Sequence, residues 1–304
     1  MYCCVMDKVP TSWVSPDLSI PALDWGPADA IAASRWQRPG VAQRVGDWLG
    51  AALAEGGIAA HYQPIVRLAD GALDTVEVLA RLRDPRLGVI PPDVFVPLIE
   101  RAGLSEQLMK AVLITGLPEL RRLAALPGHV PAAFNLPLEM VLRADSLHWM
   151  DDQRARLGLD TSDLAVELTE SHPVVDLPGL ARALERWTAS GYRMSIDDVT
   201  PGLANHRALL DLPFHYAKLD RSVTRDSAAS PAIADFLGDF VAAAQSRGKQ
   251  VIAEGIENVA DWARMRALGI DLAQGFLISP ALPAPAIAGW MDCRPGRWVY
   301  AHTA

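Results

Sequence analysis

From Val41 onward the apolar positions of the chain follow two alternating patterns. Val41, Val45, Trp48, Leu49 and Leu53 recur at intervals of three and four residues, the spacing of one buried helical face, and Gly56 and Gly57 close it. Short apolar runs then alternate with amphipathic stretches. The runs at 58–67, 73–81, 130–135, 163–167, 192–197, 214–219, 250–254 and 270–274 predict eight strands. Helix ends are legible between them. Ser230 and Pro231 open a helix whose buried stripe is Ile233, Phe236, Leu237, Phe240 and Val241, with Gly248 ending it. Asn258 opens another, with Asp261 at its third position and Gly269 as its stop. A pattern running from Ser105 to about Leu123 contains Pro118, which predicts a kink or break.

Eight strands alternating with helices match a (β/α)8 barrel of the TIM type, an α/β fold of about 250 residues. The first two strands are joined only by Leu68, Ala69, Asp70 and Gly71. A parallel crossover needs about a dozen residues, so this connection makes a hairpin and the first strand runs antiparallel to the rest. Residues 1–40 differ from this pattern. Pro10, Pro16, Pro21, Pro27 and Pro39 preclude long helices, yet Trp13, Trp25 and Trp36 are more than a solvated tail carries. The reading is a short N-terminal arm over 1–40, packed on a surface of unknown identity, before a barrel domain over 41–304.

Composition narrows the function. Half of the 304 residues are apolar, which excludes disorder, and no run approaches the ~18 residues of a membrane span. The formal net charge of −8 excludes general attraction to duplex nucleic acid. Cys3, Cys4 and Cys293 are odd in number and lack metal-type spacing, so neither a disulfide framework nor a zinc site is expected, and the cytoplasm is the natural compartment. No secretion-type layout is expected at the N-terminus.

The strand ends carry the chemistry. Glu77 lies on the second strand, Asn135 ends the third, Glu167 the fourth, Asp197 and Asp198 the fifth, Lys218 the sixth, Glu254 the seventh and Gln274 the eighth. In a barrel the C-terminal ends of the parallel strands meet at one rim, so these residues converge. That many like charges cannot all ionise without cations. Oxygen donors without His or Cys favour Mg²⁺ or Mn²⁺, and an adjacent Asp pair can bridge two ions about 3.5–4 Å apart. Phosphodiester hydrolysis suits such a site. A glycosidase carboxylate pair and a Schiff-base lysine remain alternatives, both disfavoured by Asn135 and the double Asp. His61 and His215 are read as packing or hydrogen-bonding groups.

The ordered motifs Tyr62-Gln63-Pro64-Ile65, Glu77-Val78-Leu79-Ala80-Arg81, Asn135-Leu136, Glu167-Leu168-Thr169-Glu170, Asp197-Asp198, Lys218-Leu219-Asp220-Arg221-Ser222, Ala253-Glu254-Gly255-Ile256-Glu257 and Gln274-Gly275-Phe276 resemble the EAL domain of bacterial cyclic-di-GMP phosphodiesterases over about residues 58–283. The resemblance implies a hydrolase of second-messenger signalling that opens cyclic-di-GMP to linear diguanylate (pGpG). It implies that Glu77, Asn135, Glu167, Asp197 and Asp198 hold two Mg²⁺ or Mn²⁺ ions. Gln63 and Arg81 contact the dinucleotide, Glu254 acts as general base and Lys218 positions the attacking water. Glu257 and Gln274 support the site, Glu170 steadies the loop after the fifth strand, and a homodimer is expected.

One motif departs from the family. After the double Asp the family usually reads Phe-Gly-Thr-Gly-Tyr-Ser-Ser, whereas this chain has Val199-Thr200-Pro201-Gly202-Leu203-Ala204-Asn205. Thr200 stands at a glycine position and would be strained at positive φ, so a different loop conformation is expected. The departure supports an alternative, a catalytically weak or silent receptor or interaction module.

Overall fold

The computed structural model describes residues 41–85, 88–125, 129–169, 176–202 and 206–292. The arm over 1–40 and Glu170 lie outside them. Ten strands are present among the described residues: β1 (Ile58–Arg67), β2 (Leu73–Asp84), β3 (Gly88–Ile90), β4 (Ala132–Pro137), β5 (Leu164–Thr169), β6 (Arg193–Val199), β7 (Tyr216–Leu219), β8 (Gln250–Ala253), β9 (Leu272–Ala273) and β10 (Leu282–Pro283). β2, β4, β5, β6, β7, β8 and β9 pair in parallel, in that order. β1 closes the ring between β9 and β2, antiparallel to β9. The eight-stranded barrel with a reversed first strand is therefore present, and each predicted strand coincides with an observed one. β3 and β10 were not foreseen: at three and two residues they are too short to show a period.

The chain separates into two compact units. Among the described residues, the smaller comprises 41–58 together with Arg81–Leu104. There, helix α1 (Val41–Ala54) lies against α2 (Pro92–Arg101), and the end of β2 pairs with β3. Leu49, Phe95 and Ile99 are its buried apolar centre, and Trp48 Nε1 donates to Asp84 Oδ2 at 2.9 Å. The larger unit, Ala59–Ala80 and, among the described residues, 105–292, contains strands β4 to β10 and most of β1 and β2.

In the larger unit, helix α3 (Ser105–Leu123) packs on β4 and runs as one element through Pro118, so of the expected kink or break the break does not occur. A helix-interior proline costs about 3 kcal/mol, and burial of Leu113, Leu117 and Leu120 at roughly 1.5–3 kcal/mol each outweighs it. The capped helices appear as read. The Ser230 side chain accepts from Ile233 N at the start of Pro231–Gln245, and Asn258 accepts from Asp261 N at the start of Val259–Ala267. Inside the barrel, Ile65, Tyr216, Ile252 and Leu272 form an apolar cluster. It is part of the packed core on which the polar strand ends stand.

Two glycines let the last rim loops approach one another. Gly255 follows β8 at φ 68°, where a Cβ would meet Arg221 Cβ at 2.6 Å. A Cβ on Gly275 would fall 2.3 Å from the Ile256 backbone N and O. Backbone bonds from Ile256 N to Gln274 O (3.0 Å) and from Leu277 N to Ile256 O (2.9 Å) hold this approach. Gly275→Ala must push backbone from backbone, and a loss of about 1–3 kcal/mol is expected in urea unfolding. An unchanged midpoint would show that the loops separate without cost.

Candidate functional site

Register and side-chain alternation carry the polar residues to one place. Glu77 pairs with Ala133 across β2 and β4, and Asn135 stands two residues further on the same face. Asn135 pairs with Glu167, and Glu167 pairs with Ser195, two residues before Asp197. On the other side, Lys218 pairs with Ile252, two residues before Glu254. The barrel thus turns residues far apart in sequence into neighbours.

Lys218 stands at the centre, only 1% exposed. Its Nζ lies 2.6 Å from Glu254 Oε1, 3.0 Å from Glu167 Oε2, 3.3 Å from Asp197 Oδ1 and 3.4 Å from Glu77 Oε2. Glu77 accepts further from Asn135 Nδ2 at 2.9 Å and from Gln274 Nε2 at 2.6 Å. Gln274 Nε2 also donates to Gln63 Oε1 at 3.1 Å, while Gln63 Nε2 donates to the Ser279 carbonyl. The side-chain oxygen of Gln274 is buried without a hydrogen-bond partner among the described residues.

One ammonium cannot neutralise the four carboxylates packed around it. Burial, with Glu77 and Asp197 adding repulsion against the attraction of Lys218, raises Glu167 well above the usual carboxylate range. Asp197 is raised by burial, Lys218 opposing. Glu254 is pushed up to about 8 by burial, with Lys218 again opposing. Burial would raise Glu77 too, but Lys218, Gln274 and Asn135 together hold it below its ordinary value. Burial also works against the charge of Lys218, yet its four carboxylates lift it well above the usual lysine range. The cluster therefore holds protons that belong to the group rather than to single residues.

The double Asp departs from strand geometry. Consecutive strand residues point to opposite faces, so an ordinary β6 would send only one Asp to the site. The β6–β7 register shifts between Ile196 and Val199, and Asp198 adopts a left-handed φ of 54°. Asp tolerates this conformation better than most residues, and its N–H donates to Asp197 Oδ1 at 3.0 Å. Asp197, Asp198 and Glu254 consequently bring one carboxylate oxygen each within 4.8 Å of the others. Asp198 is pushed up to about 6 by burial, then by Asp197 and Asp220. Three oxygen donors and excess negative charge suit a hard divalent cation, so these residues fit a metal ion.

The remaining site expectations fall out differently. Arg81 is half-buried on β2 and belongs to the smaller unit. Glu257 is exposed on the loop after β8 and is not drawn to Lys218. Thr200 lacks positive φ, so the feared strain is absent there. His215 Nδ1 accepts from Met194 N, and His61 Nδ1 lies 3.3 Å from the Ala281 carbonyl, both as hydrogen-bonding groups. Asp220 was overlooked: it caps the helix Arg221–Asp226 and repels Asp198, and its place two residues after Lys218 was the available signal.

The sequence pattern of the EAL domain matches residues 47–281. Cyclic di-GMP phosphodiesterase NbdA of Pseudomonas aeruginosa is 34% identical over 238 residues, 78% of this chain and 30% of NbdA. Cyclic di-GMP phosphodiesterase RocR of the same organism is 31% identical over 232 residues, 76% of this chain and 59% of RocR. The structure described as the PaMucR phosphodiesterase in complex with c-di-GMP superimposes with a TM-score of 0.74 at 30% identity, covering 80% of this chain and 99% of that one. No helix among the described residues is long and apolar enough to cross a membrane.

Two outcomes follow from the cluster. Lys218→Met leaves four carboxylates without their cation, and a loss of about 3–5 kcal/mol is expected in urea unfolding at pH 8 with chelator. The loss should shrink at pH 5, where the acids carry protons. In the wild type, Glu254 and Asp198 bind protons more tightly folded than unfolded, so their stabilisation is present at low pH and lost as pH rises through about 6 and 8. Metal-free protein should therefore unfold at lower urea at pH 9 than at pH 5, and Mg²⁺ or Mn²⁺ should close the gap. A metal-independent pH profile would count against ion binding here.

Proposed function

The chain belongs to the EAL domain family, and from that premise we propose that it hydrolyses cyclic-di-GMP to the linear dinucleotide pGpG with two divalent ions, Mg²⁺ or Mn²⁺. The observation that carries this reading is the joining of Asp197, Asp198 and Glu254 at a rim whose charge is organised by Lys218. Glu77, Asn135, Glu167, Asp197 and Asp198 would hold the ions. Bound there, they would neutralise the phosphodiester and make a water acidic enough to attack near neutral pH.

The protein's own groups divide the remaining work. Glu254, one-fifth exposed and with one oxygen held by Lys218, takes the water proton. The water oxygen bonds to phosphorus in line as the bond to the ribose oxygen breaks, and solvent supplies the proton that oxygen needs. Lys218 fixes Glu254 and three further acids at once. Gln63 and Arg81 are proposed contacts to the dinucleotide, and Glu170, Glu257 and Gln274 are proposed supports, on the motif match. Gln274 also holds Glu77 directly. Cytoplasmic location and a homodimer belong to the same reading, resting on the cysteine count and the motif match.

Incubation with cyclic-di-GMP and Mg²⁺ or Mn²⁺ should yield pGpG, identified by mass. Glu254→Gln should lower kcat by about 10²-fold or more, because the base is lost while the shape is kept. Val199-Thr200-Pro201 favours the second reading, a receptor without turnover; tight binding of cyclic-di-GMP with no product at any metal concentration would select it.

A further inference from the structure

Two residues before each acidic-cluster position, on the same inward face of the strand, stands a side chain of the layer below. Beneath Lys218, Glu254 and Gln274 these are Tyr216, Ile252 and Leu272, which with Ile65 make the apolar cluster. Beneath Glu77, Asn135, Glu167 and Asp197 they are Thr75, Ala133, Ala165 and Ser195, all small. Barrel interiors are filled chiefly by Val, Ile and Leu, so this half of the layer leaves space. A cavity lies there, lined by the four small residues, walled by Tyr216 and Ile252, and reaching Glu167. It gives the centre of a water molecule about 10 Å³ of room, enough for one.

The polar groups on this cavity differ in what they have left to offer. Thr75 Oγ1 gives its proton to the Pro131 carbonyl at 2.9 Å, and the Tyr216 hydroxyl accepts from Arg193 Nη1 at 3.0 Å. Ser195, 2% exposed, is worse served. Among the described residues its hydroxyl meets the carbonyl of the next residue, Ile196, at 3.5 Å, the far limit of the interaction. A buried hydroxyl so weakly bonded costs free energy, and the cavity beside it is where a better partner fits. Glu167, 1% exposed, stands opposite Ser195 in the β5–β6 register, so both side chains face the same space. Lys218 holds Glu167 Oε2 at 3.0 Å. A carboxylate has spare lone pairs, so Glu167 can accept from a water as well and still face an ion. We propose that the cavity binds one structural water, which accepts from Ser195 Oγ and donates to the Glu167 carboxylate and to Thr75 Oγ1. Ser195 is then a positioning residue: it acts through the water to fix the most deeply buried acid of the cluster. From the phosphodiesterase reading the proposal takes only that Glu167 holds an ion.

The test joins a crystal structure of the metal-free protein, at a resolution that shows waters, to calorimetric titration with Mn²⁺. The titration compares wild type, Ser195→Ala and the double variant Ser195→Ala/Ala165→Ser, which returns a hydroxyl to the same cavity from the neighbouring strand. The wild-type crystal should show an ordered water within about 3.2 Å of Ser195 Oγ and of a Glu167 oxygen. Ser195→Ala should bind Mn²⁺ about tenfold more weakly, and the double variant should recover most of that loss. A merely structural hydroxyl would shift the thermal midpoint of the chelated protein and leave its Mn²⁺ affinity alone. That result, or a wild-type cavity without a water, overturns the proposal and leaves the phosphodiesterase reading standing. A wild-type chain that binds no Mn²⁺ and yields no pGpG overturns that reading and the positioning role with it.

Discussion

The site depends on one buried ammonium. Lys218 lies within 3.4 Å of an oxygen from each of four carboxylates, three on β2, β5 and β6 and one just after β8, and its charge offsets part of their mutual repulsion. Coulomb attraction at such separations is several kcal/mol per pair at an effective dielectric of about 20, but removing each charge from water costs a comparable amount. The balance leaves a cluster that is held together yet short of positive charge. That shortage is what makes the open side of the cluster, Asp197, Asp198 and Glu254, receptive to a divalent ion.

Most of the architecture was legible because its signals are local. Gly248 and Gly269 end helices, Ser230 and Asn258 begin them, and each apolar run long enough to show a period became a strand. The four-residue connection at Leu68–Gly71 sufficed to reverse the first strand. What escaped needs information from across the fold. β10 exists because Leu282 and Pro283 find Tyr62 and His61, more than two hundred residues earlier, and nothing in two residues announces a strand. The continuity of α3 through Pro118 reflects packing that outweighs a local penalty.

The candidate site divides in the same way. Residue types at strand ends pointed to Glu77, Asn135, Glu167, Asp197, Lys218, Glu254 and Gln274, and the structure brings all of them together. Their functional assignments drew on ordered motifs as well as on chemistry. Sequence could not show that Asp198 reaches the mouth only through a left-handed residue in a shifted register, since alternation alone sends it away. Nor could it separate Glu257, exposed in the loop, from Glu254, three residues earlier and beside the lysine. Thr200 shows the converse: a residue suspect by type sits in an ordinary backbone conformation because the left-handed turn falls at Asp198 instead.

The antiparallel first strand also governs how this fold is wired into a polypeptide. β1 bonds both to β9 and to β10, with His61 opposite Pro283 and Tyr62 opposite Leu282, so the barrel is entered and left at adjacent strands. A domain whose entry and exit points adjoin can be spliced between other domains or appended to them without stretching either connection. The matched region makes up 30% of NbdA and 59% of RocR, so in both it is part of a longer chain. The hairpin that reverses one strand thus leaves the two connections of the fold side by side.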